Sequence, residues 1–364
     1  MIPHNRPTLG HEESQAAARV LSSGWIAQGE EVLALEQEFG EYINLPAENV
    51  VAVSSGSAAL YMSLTIANAK NKYVSASAYS CRSIFNAIQL SGGIPNFLDV
   101  EEASVNASLK KSNADIYIIA HMFGLPDLNV EKKRSYFLVE DAAQAIDSYY
   151  KGRPLGSIGT FGTFSFHETK NIISGEGGML VINDDRYIPR AEIIREKGTN
   201  RSSFFRGEVD KYGWVDIGSS FLPSDIVAAY LYAQLEQLDS IQSRRKDIWQ
   251  RYYDKFSALQ ETGKILLPSI PDGSCNNAHM FYIKAKDLQE RTALISFLKE
   301  NGIQAVFHYI PLHSAPAGKK FGRFNGEDKY TTRESERLMR LPMYYGLKDE
   351  EVQYIISKVK EFYK

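Results

Sequence analysis

The 364-residue sequence lacks the features that mark secreted, membrane or nucleic-acid-binding proteins. It has two cysteines, Cys81 and Cys275, in no CxxC pattern, which argues against a disulfide framework and a structural zinc site. The formal net charge of −3 gives no basic footprint for nucleic acid. Apolar runs such as Ile116–Ala120 are too short to cross a bilayer, and the first residues lack the layout of a signal peptide. We therefore expect a soluble cytoplasmic protein with neither membrane nor nucleic acid as a partner.

A regular alternation of short apolar, β-rich runs with helical stretches is what the sequence does contain. Residues 12–45 have helical spacing, interrupted at Ser22–Gly29. The later alternation is typical of βα units that build a mainly parallel sheet. Ligands bind such sheets at the carboxyl ends of the strands. The candidate site residues are those that follow the apolar runs, namely Ser54–Ala58, Tyr79–Arg82, His121 and Asp141–Gln144.

The last third of the sequence indicates a second domain. Ser224 or Asp225 can cap a helical stretch over residues 226–257, which forms one long helix or two joined by a break. Two strand-like runs then flank a further helix. We therefore predict a large α/β domain of residues 1–245 and a small C-terminal α+β domain of residues 246–364.

Ser54–Ala58 place hydroxyl side chains and a glycine between an apolar run and a helix. Free N–H groups at a helix start attract phosphate, and Gly56 lets the backbone approach a ligand closely. Ser57 and Ala58 are thus candidates for a phosphate site, although an ordinary capped serine-rich turn explains the same residues.

Two further candidate groups follow later runs. Glu140 and Asp141 end a buried run, and strand alternation sends them to opposite faces, so at most one points into a given site. Asp141 either pairs with a protonated ring nitrogen or caps a helix. Lys170, in Phe164–Asn171, is either an ordinary surface lysine or a lysine that forms a Schiff base. A phosphate site, such a carboxylate and such a lysine are together what pyridoxal phosphate requires.

Four segments resemble the DegT family of pyridoxal phosphate-dependent sugar aminotransferases, and the similarity covers essentially the whole chain. They are SSGSAAL, VEDAAQA, GTFSFHETKN with GEGGML, and PSDIVAAYLYAQLEQL. The resemblance implies the α/β architecture of pyridoxal phosphate-dependent transferases of fold type I, like aspartate aminotransferase, with a mainly parallel mixed sheet. It also implies a homodimer whose active sites lie between the subunits.

Carried over residue by residue, the resemblance implies that Lys170 binds pyridoxal 5′-phosphate covalently and shuttles the proton. It also implies that Asp141 pairs with the pyridine nitrogen and that Gln144 lies beside the 3-oxygen of the ring. The further cofactor contacts that it implies are Gly56, Ser57, Ala58 and Ser165 around the phosphate, and Ser220 in a loop that reaches the partner subunit.

The sequence departs from the wider family at three places. Cys81 aligns where many members stack an aromatic ring on the cofactor, and Tyr79 lies two residues earlier. Ser220–Leu222 stand where many members have Asn, an aromatic residue and Arg. Gly56 and Ser57 stand where Ala-Thr is usual, which leaves a hydroxyl available.

In its C-terminal two-thirds the chain resembles family members that aminate dTDP-4-keto-6-deoxy-D-glucose. This implies transfer of the amino group of L-glutamate to that sugar, giving a dTDP-4-amino-4,6-dideoxyhexose for surface polysaccharides such as O-antigen and lipopolysaccharide. The alternatives are a 3-keto sugar, a UDP- or GDP-linked 4-keto sugar, and a non-catalytic regulatory homologue. Lys170 argues against the related sugar dehydrases, which have histidine there, and the lack of GxGxxG after the first strand argues against a nicotinamide enzyme.

His308, Tyr309 and Arg201 are the candidate substrate contacts. The first two lie in a segment that approaches the nucleotide-sugar in relatives, although a structural turn explains them equally well. Arg201 ends a basic stretch that suits a diphosphate or, alternatively, is a solvated surface. No pair of the seven histidines has convincing zinc spacing, so we expect no metal.

Overall fold

The computed structural model describes residues 1–102, 105–109, 112–131 and 136–364. The α-helices of these residues are α1 (His11–Ser23), α2 (Glu30–Ile43), α3 (Gly56–Ile66), α4 (Arg82–Leu90), α5 (Ile188–Arg195), α6 (Arg201–Phe205), α7 (Asp225–Glu236), α8 (Leu238–Glu261), α9 (Leu288–Glu300), α10 (Pro316–Phe321), α11 (Thr331–Arg337) and α12 (Asp349–Phe362). The strands are β1 (Val50–Val53), β2 (Tyr73–Ser77), β3 (Ile94–Leu98), β4 (Ile116–Ala120), β5 (Phe137–Asp141), β6 (Tyr149–Tyr150), β7 (Arg153–Pro154), β8 (Phe161–Ser165), β9 (Gly178–Ile182), β10 (Ser274–Cys275), β11 (Phe281–Lys284), β12 (Val306–Phe307), β13 (Arg323–Phe324) and β14 (Leu338–Leu341). Among the described helices, none has the length and apolarity needed to cross a membrane.

The predicted breaks in the helical stretches occur where the sequence indicates them. α1 ends at Gly24, whose φ of 75° lies in the left-handed region that glycine adopts without strain. α7 and α8 are separated at Gln237, so the stretch predicted as one helix or two is two. Ser224 caps α7, because its Oγ accepts the N–H of Val227 at 3.4 Å.

An eight-stranded sheet forms the centre of the molecule and confirms the prediction of a mainly parallel mixed sheet. The strand order is β1-β9-β8-β5-β4-β2-β3-β13. β9 runs antiparallel to β1 and β8, and the other five neighbouring pairs are parallel. The carboxyl ends of β1, β4, β5 and β8 therefore lie at the same edge of the sheet.

Both faces of this sheet are covered, which explains why its strands read as continuous apolar runs. Ile118 and Val139, paired across β4 and β5, belong to a core with helices α3 and α4. Their neighbours Ile119 and Leu138 belong to a second core, with α2 and α7, on the opposite face. The two-residue alternation of strands thus assigns successive side chains to different cores.

A second, three-stranded antiparallel sheet lies in the last third of the chain, in the order β11-β14-β12. Helices α8, α9 and α12 cover it, and Phe281, Leu294 and Ile355 are among the side chains of its core. These elements supply the α+β character that the sequence indicates for this region.

The predicted domain boundary near residue 245 falls inside α8 and stays a prediction. Arg245 is buried, and its guanidinium donates to the carbonyls of Ala278, at 3.2 Å, and His279, at 2.5 Å. β13 follows later in the chain but pairs in parallel with β3. Residues after 245 therefore contribute to the large sheet, to the sheet β11-β14-β12 and, through β10, to a further small sheet of order β10-β6-β7.

Candidate active site

A cavity of about 440 Å³ lies at the carboxyl-end edge of the large sheet. Residues that follow β1, β4 and β5 line it together with the last residue of β8, as expected for a ligand site in a parallel sheet. Eight of the residues predicted to act in catalysis or to contact the cofactor or substrate line this cavity, namely Gly56, Ser57, Asp141, Gln144, Ser165, Lys170, His308 and Tyr309.

Lys170 lies in a turn just after β8, where its N–H donates to the carbonyl of His167 at 2.9 Å. Its side chain is half-buried and forms no ion pair with any carboxylate in the described residues. Burial lowers the pKa of Lys170, and the Arg340 cation adds to this effect, while Asp141 and Cys81 oppose it. A lysine amine with a lowered pKa is a better nucleophile at neutral pH, so this side chain suits covalent chemistry with a carbonyl.

Asp141, the last residue of β5, is buried beside this lysine. Burial raises its pKa, although the Ala143 N–H, at 3.1 Å from Oδ1, and the Lys170 cation oppose the rise. The described residues 142–148, directly after Asp141, form turns and no helix, so the alternative in which Asp141 caps a helix does not hold. A buried carboxylate in this position can accept a hydrogen bond from a cationic ring.

Glu140 points away from Asp141, as strand alternation requires. Its carboxylate accepts the N–H groups of Gly156 at 2.9 Å and Ile158 at 2.6 Å, and it contacts Nε2 of His121 at 2.8 Å. Burial acts to raise the pKa of Glu140, but the hydrogen bonds and the histidine outweigh it, so the pKa is lowered. This carboxylate holds β5, the loop after β7 and the imidazole of His121 in place beside the cavity.

The N-terminus of α3 and the end of β8 meet at one end of the cavity. A Cβ on Gly56 would lie 2.7 Å from Cβ of Ser165, so only glycine allows this approach. The first N–H groups of a helix have no partner within it and can bind phosphate. Ser57 lines the cavity, but Ala58 does not, and the Ala58 N–H donates to Oγ of Ser55 at 3.1 Å. Ser55 thus caps the helix and leaves Gly56 and Ser57 as the residues at its open end.

Gln144 and Cys81 lie along the walls of the cavity. The side-chain Oε1 of Gln144 accepts the Phe123 N–H at 2.7 Å, which fixes its orientation. Tyr79 does not line the cavity, and its buried hydroxyl donates to the carbonyl of His308. Cys81, rather than Tyr79, therefore stands at the cavity.

Ser220 and Arg201 lie away from this cavity. Ser220 is exposed and pairs with Glu196 in an isolated β-bridge. Arg201 is also exposed, and its guanidinium lies 5.1 Å from the centre of the Phe205 ring. Contacts of these two residues with a cofactor or substrate in a partner subunit stay predictions.

His308 and Tyr309 follow β12 and close the cavity from the side of the small sheet. Burial, with the nearby Arg340 cation, lowers the pKa of His308 well below its usual value, so its imidazole is neutral. The Ser335 hydroxyl donates to the carbonyl of Tyr309. Both ring-bearing residues are therefore fixed at the cavity.

Several polar residues of the cavity, among them His4, His279 and Arg340, were not predicted from the sequence. Nδ1 of His279 hydrogen-bonds at 2.7 Å to Oδ1 of Asn171, the residue that follows Lys170 in the chain. Arg340 is the charged residue of the otherwise apolar β14. A charged residue in an apolar run is rarely buried without a function, so the sequence pattern could have indicated it as a site residue. No group of three or more potential ligands that could hold a metal ion occurs in the described ranges.

Comparisons with known proteins agree with this geometry. The DegT/DnrJ/EryC1/StrS aminotransferase family matches residues 7–360. The chain is 29% identical to the spore coat polysaccharide biosynthesis protein SpsC of Bacillus subtilis, with 100% of this chain and 97% of that protein covered. It is 28% identical to the dTDP-4-dehydro-2,3,6-trideoxy-D-glucose 4-aminotransferase of Saccharopolyspora spinosa, with 99% and 96% covered.

A solved structure shows the same similarity. The putative sugar aminotransferase Spr1654 from Streptococcus pneumoniae, in its PMP form, has a TM-score of 0.90 and 26% identity, covering 100% of this chain and 99% of that one. Its PLP form has also been solved. The expectations of fold type I, of an aminotransferase and of pyridoxal 5′-phosphate as cofactor are confirmed. The cavity fits this cofactor, because it combines a glycine-lined helix N-terminus, a buried carboxylate and an amine that forms no ion pair within the described part of the chain.

Proposed function

The chain belongs to the DegT/DnrJ/EryC1/StrS aminotransferase family, and on this basis we propose that it transfers the amino group of L-glutamate to a nucleotide-linked keto sugar. The observation that carries the proposal is Lys170, an amine with a lowered pKa and no ion pair among the described residues, which shares the cavity with Asp141 and the α3 N-terminus. The sugar that we propose is dTDP-4-keto-6-deoxy-D-glucose, with a dTDP-4-amino-4,6-dideoxyhexose as the product. The relative from Saccharopolyspora spinosa, named as a dTDP-sugar 4-aminotransferase, supports this choice.

Each of the clustered residues has a task in such a reaction. Gly56, Ser57 and Ser165 would hold the cofactor phosphate, and Asp141 would hold the ring nitrogen in its protonated form. Pyridoxal 5′-phosphate, when bound, supplies an electron sink for the carbon that loses its proton. Lys170 would attach the cofactor and then move the proton between cofactor and substrate carbon. Glu140 and His121 position the strand end that carries Asp141.

We also propose that the enzyme is a homodimer. Phe205, Trp214 and Ile217 expose 69%, 80% and 68% of their surface, in the same region as Arg201 and Ser220. Exposed apolar side chains mark contact surfaces, and we infer that a second copy covers this region, which is also the region of the predicted contacts Arg201 and Ser220. A surface-polysaccharide role for the product is supported by the spore coat relative of Bacillus subtilis.

The visible spectrum of the purified protein tests the reaction class. We expect cofactor absorbance that shifts on addition of L-glutamate and that is absent in Lys170→Ala. Lys255→Ala is the matched control, because Lys255 is exposed on α8 and outside the cavity. A spectrum that glutamate leaves unchanged, with cofactor present, would support the non-catalytic homologue instead.

Mass spectrometry of reactions with a panel of keto nucleotide-sugars tests the acceptor. We expect amination of the dTDP-linked 4-keto sugar in preference to UDP- and GDP-linked sugars and to 3-keto sugars. Amination of 3-keto sugars alone would show that the proposed acceptor is wrong while leaving the aminotransferase activity intact.

A further inference from the structure

His279 has one ring nitrogen that is bonded within the protein and one that faces the cavity of Lys170. It stands just before β11, lines the cavity and exposes only 4% of its surface. Nδ1 hydrogen-bonds to Oδ1 of Asn171 at 2.7 Å. Nε2 has no hydrogen-bond partner in the described part of the chain, and protein atoms do not enclose it completely. The side of the ring that carries Nε2 is therefore open to the cavity.

The partners of Asn171 decide which nitrogen of His279 carries the proton. Nδ2 of Asn171 donates to the carbonyl of Asn277 at 2.9 Å and to Oε1 of Gln242 at 2.7 Å. The Gln242 amide is oriented in turn, because its Nε2 donates to Oδ2 of Asp147 at 3.2 Å. Oδ1 of Asn171 is thus the atom that faces His279, and since a carbonyl oxygen only accepts, Nδ1 of His279 is the donor.

The imidazole of His279 is neutral, so its Nε2 presents a lone pair to the cavity. Burial lowers the pKa of His279 well below the usual value, and among the nearby charges the Lys170 cation lowers it most. Smaller effects in the same direction come from Arg245, Arg340 and His308. A neutral imidazole with its proton on Nδ1 accepts a hydrogen bond at Nε2 and cannot donate one there.

The amine of Lys170 is the side-chain donor of the cavity that suits this acceptor. Both residues line the cavity, and Lys170 forms no ion pair within the described ranges. Arg340 also lines the cavity, but its guanidinium makes a 3.8 Å contact with Sδ of Met280 and donates no hydrogen bond to His279. Because Asn171 follows Lys170 in the chain, its bond to Nδ1 also ties the imidazole to the turn that carries the lysine.

We propose that His279 is a positioning residue whose Nε2 accepts a hydrogen bond from the amine of Lys170 whenever that amine is free. The inference rests on the proposed function and names the group that orients its base. When Lys170 takes the proton of the donor, the Cα–H bond breaks, an N–H bond forms on Nζ, and the electron pair is left to the carbon and the attached cofactor. An N–H group held by Nε2 turns the lone pair of Nζ toward that carbon.

A neutral acceptor suits this task better than a carboxylate would. A carboxylate beside the amine would favour its protonated form and so weaken it as a base. The low pKa of His279 also prevents the imidazole from taking the proton away from Nζ. The proton therefore stays on Lys170, which returns it to the product carbon.

Two substitutions of His279 separate positioning of Lys170 from support of the fold. An asparagine amide can still donate to Asn171 from the position of Nδ1, but it has no acceptor at the position of Nε2. A glutamine oxygen reaches the position of Nε2, but the donor to Asn171 is lost. His279→Gln is thus the matched control for His279→Asn, and a merely structural role predicts the larger defect in His279→Gln.

Single-turnover absorbance of the holoenzyme with L-glutamate measures the step that the proposal concerns. In His279→Asn we expect the rate constant at saturating glutamate to fall on the order of 10- to 100-fold, because the base is misplaced. The glutamate concentration for the half-maximal rate should stay near the wild-type value. The kinetic isotope effect with α-deuterated glutamate should increase, because proton transfer then limits the rate. His279→Gln should keep most of the wild-type rate.

The cofactor-free protein supplies a measurement that does not depend on activity. The pH dependence of Lys170 acetylation by acetic anhydride, followed by mass spectrometry, reports the pKa of the amine. A hydrogen-bond acceptor favours the protonated amine, so His279→Asn should shift this profile to lower pH and His279→Gln should leave it in place. The other groups that act on the pKa of Lys170, namely Asp141, Cys81 and Arg340, are the same in both variants.

Three outcomes would overturn the inference. The first is a His279→Asn variant with the wild-type rate constant and labelling profile, and the second is a larger defect in His279→Gln than in His279→Asn. The third needs no variant, since ¹⁵N NMR of the wild-type protein would contradict the proposal if the proton of His279 lay on Nε2. Wild-type enzyme that responds to no amino acid would instead refute the proposed function, and the labelling profile would still decide whether Nε2 holds the Lys170 amine.

Discussion

Replacement of Gly56 by alanine is expected to weaken both cofactor binding and the fold. The added Cβ would lie 2.7 Å from Cβ of Ser165 and 3.1 Å from the carbonyl oxygen of Phe164. Optimal carbon contacts are about 3.5–4.0 Å, so the start of α3 must move away from the end of β8 by several tenths of an ångström or more. The backbone on the other side cannot yield as a flexible side chain would.

Two magnitudes follow from this displacement. Overpacking of this kind costs about 1–3 kcal/mol of unfolding free energy, which a chain of this size tolerates. The N–H groups of Gly56 and Ser57 would also lose their alignment with the phosphate. Loss of one charge-assisted hydrogen bond costs about 1.5–3 kcal/mol, which corresponds to roughly 10- to 100-fold in the dissociation constant of pyridoxal 5′-phosphate.

Absorbance titration of the cofactor-free protein with pyridoxal 5′-phosphate measures the affinity, and urea unfolding measures the stability. Gly346→Ala is the matched control, because no heavy atom lies within 4 Å of its added Cβ and its φ is not in the left-handed region. Equal affinity and equal unfolding midpoints for the two variants would refute the argument that Gly56 permits the phosphate site.

Two further predictions concern the adjacent carboxylates of β5. Burial raises the pKa of Asp141, so its negative charge costs stability in the folded chain, and Asp141→Asn should raise the melting temperature of the cofactor-free protein in calorimetry. The same substitution should lower kcat on the order of 10²-fold in turnover assays. A lower melting temperature would contradict the first expectation. Glu140→Gln should cost about 3 kcal/mol in urea unfolding at pH 7, because three N–H donors and His121 lose a charged partner. The pKa of Glu140 is lowered on folding, so this stability is fully present above the unfolded value of 4.5 and is lost as pH falls through the folded pKa. A deficit that did not shrink as the pH was lowered from 4.5 would contradict the assignment.

The residues that follow strands were the predictable part of the site. Asp141, Gln144 and Lys170 come after apolar runs whose parallel packing can be inferred, and parallel strands bring their carboxyl ends to one edge. The capping of α3 was less predictable, because serines stand at positions 54, 55 and 57 and propensity does not decide which one caps. Only the structure shows that the N–H of Ala58 donates to Oγ of Ser55 and so already has a hydrogen-bond partner.

Arg340 shows the limit of local inference. It lies 170 positions after Lys170 (340 − 170), and its approach to that residue depends on how the small sheet packs on the large one. Strand direction has the same limit, since the apolar run of β9 indicates a buried strand but not that it runs antiparallel to β1 and β8. Two-residue strands such as β13 carry no periodicity at all.

The pairing of β13 with β3 has a consequence for synthesis on the ribosome. An open sheet edge offers unpaired N–H and C=O groups to other chains. Pro95 in β3 has no backbone N–H and so protects this edge at one residue only. Arg323 completes the protection by pairing with Asn96 and placing its guanidinium 3.9 Å from the centre of the Tyr73 ring. Because Arg323 follows the end of β3 by 225 residues (323 − 98), a nascent chain carries this edge uncovered while those residues are made. Chaperone binding to β3 at that stage would lower the risk of aggregation.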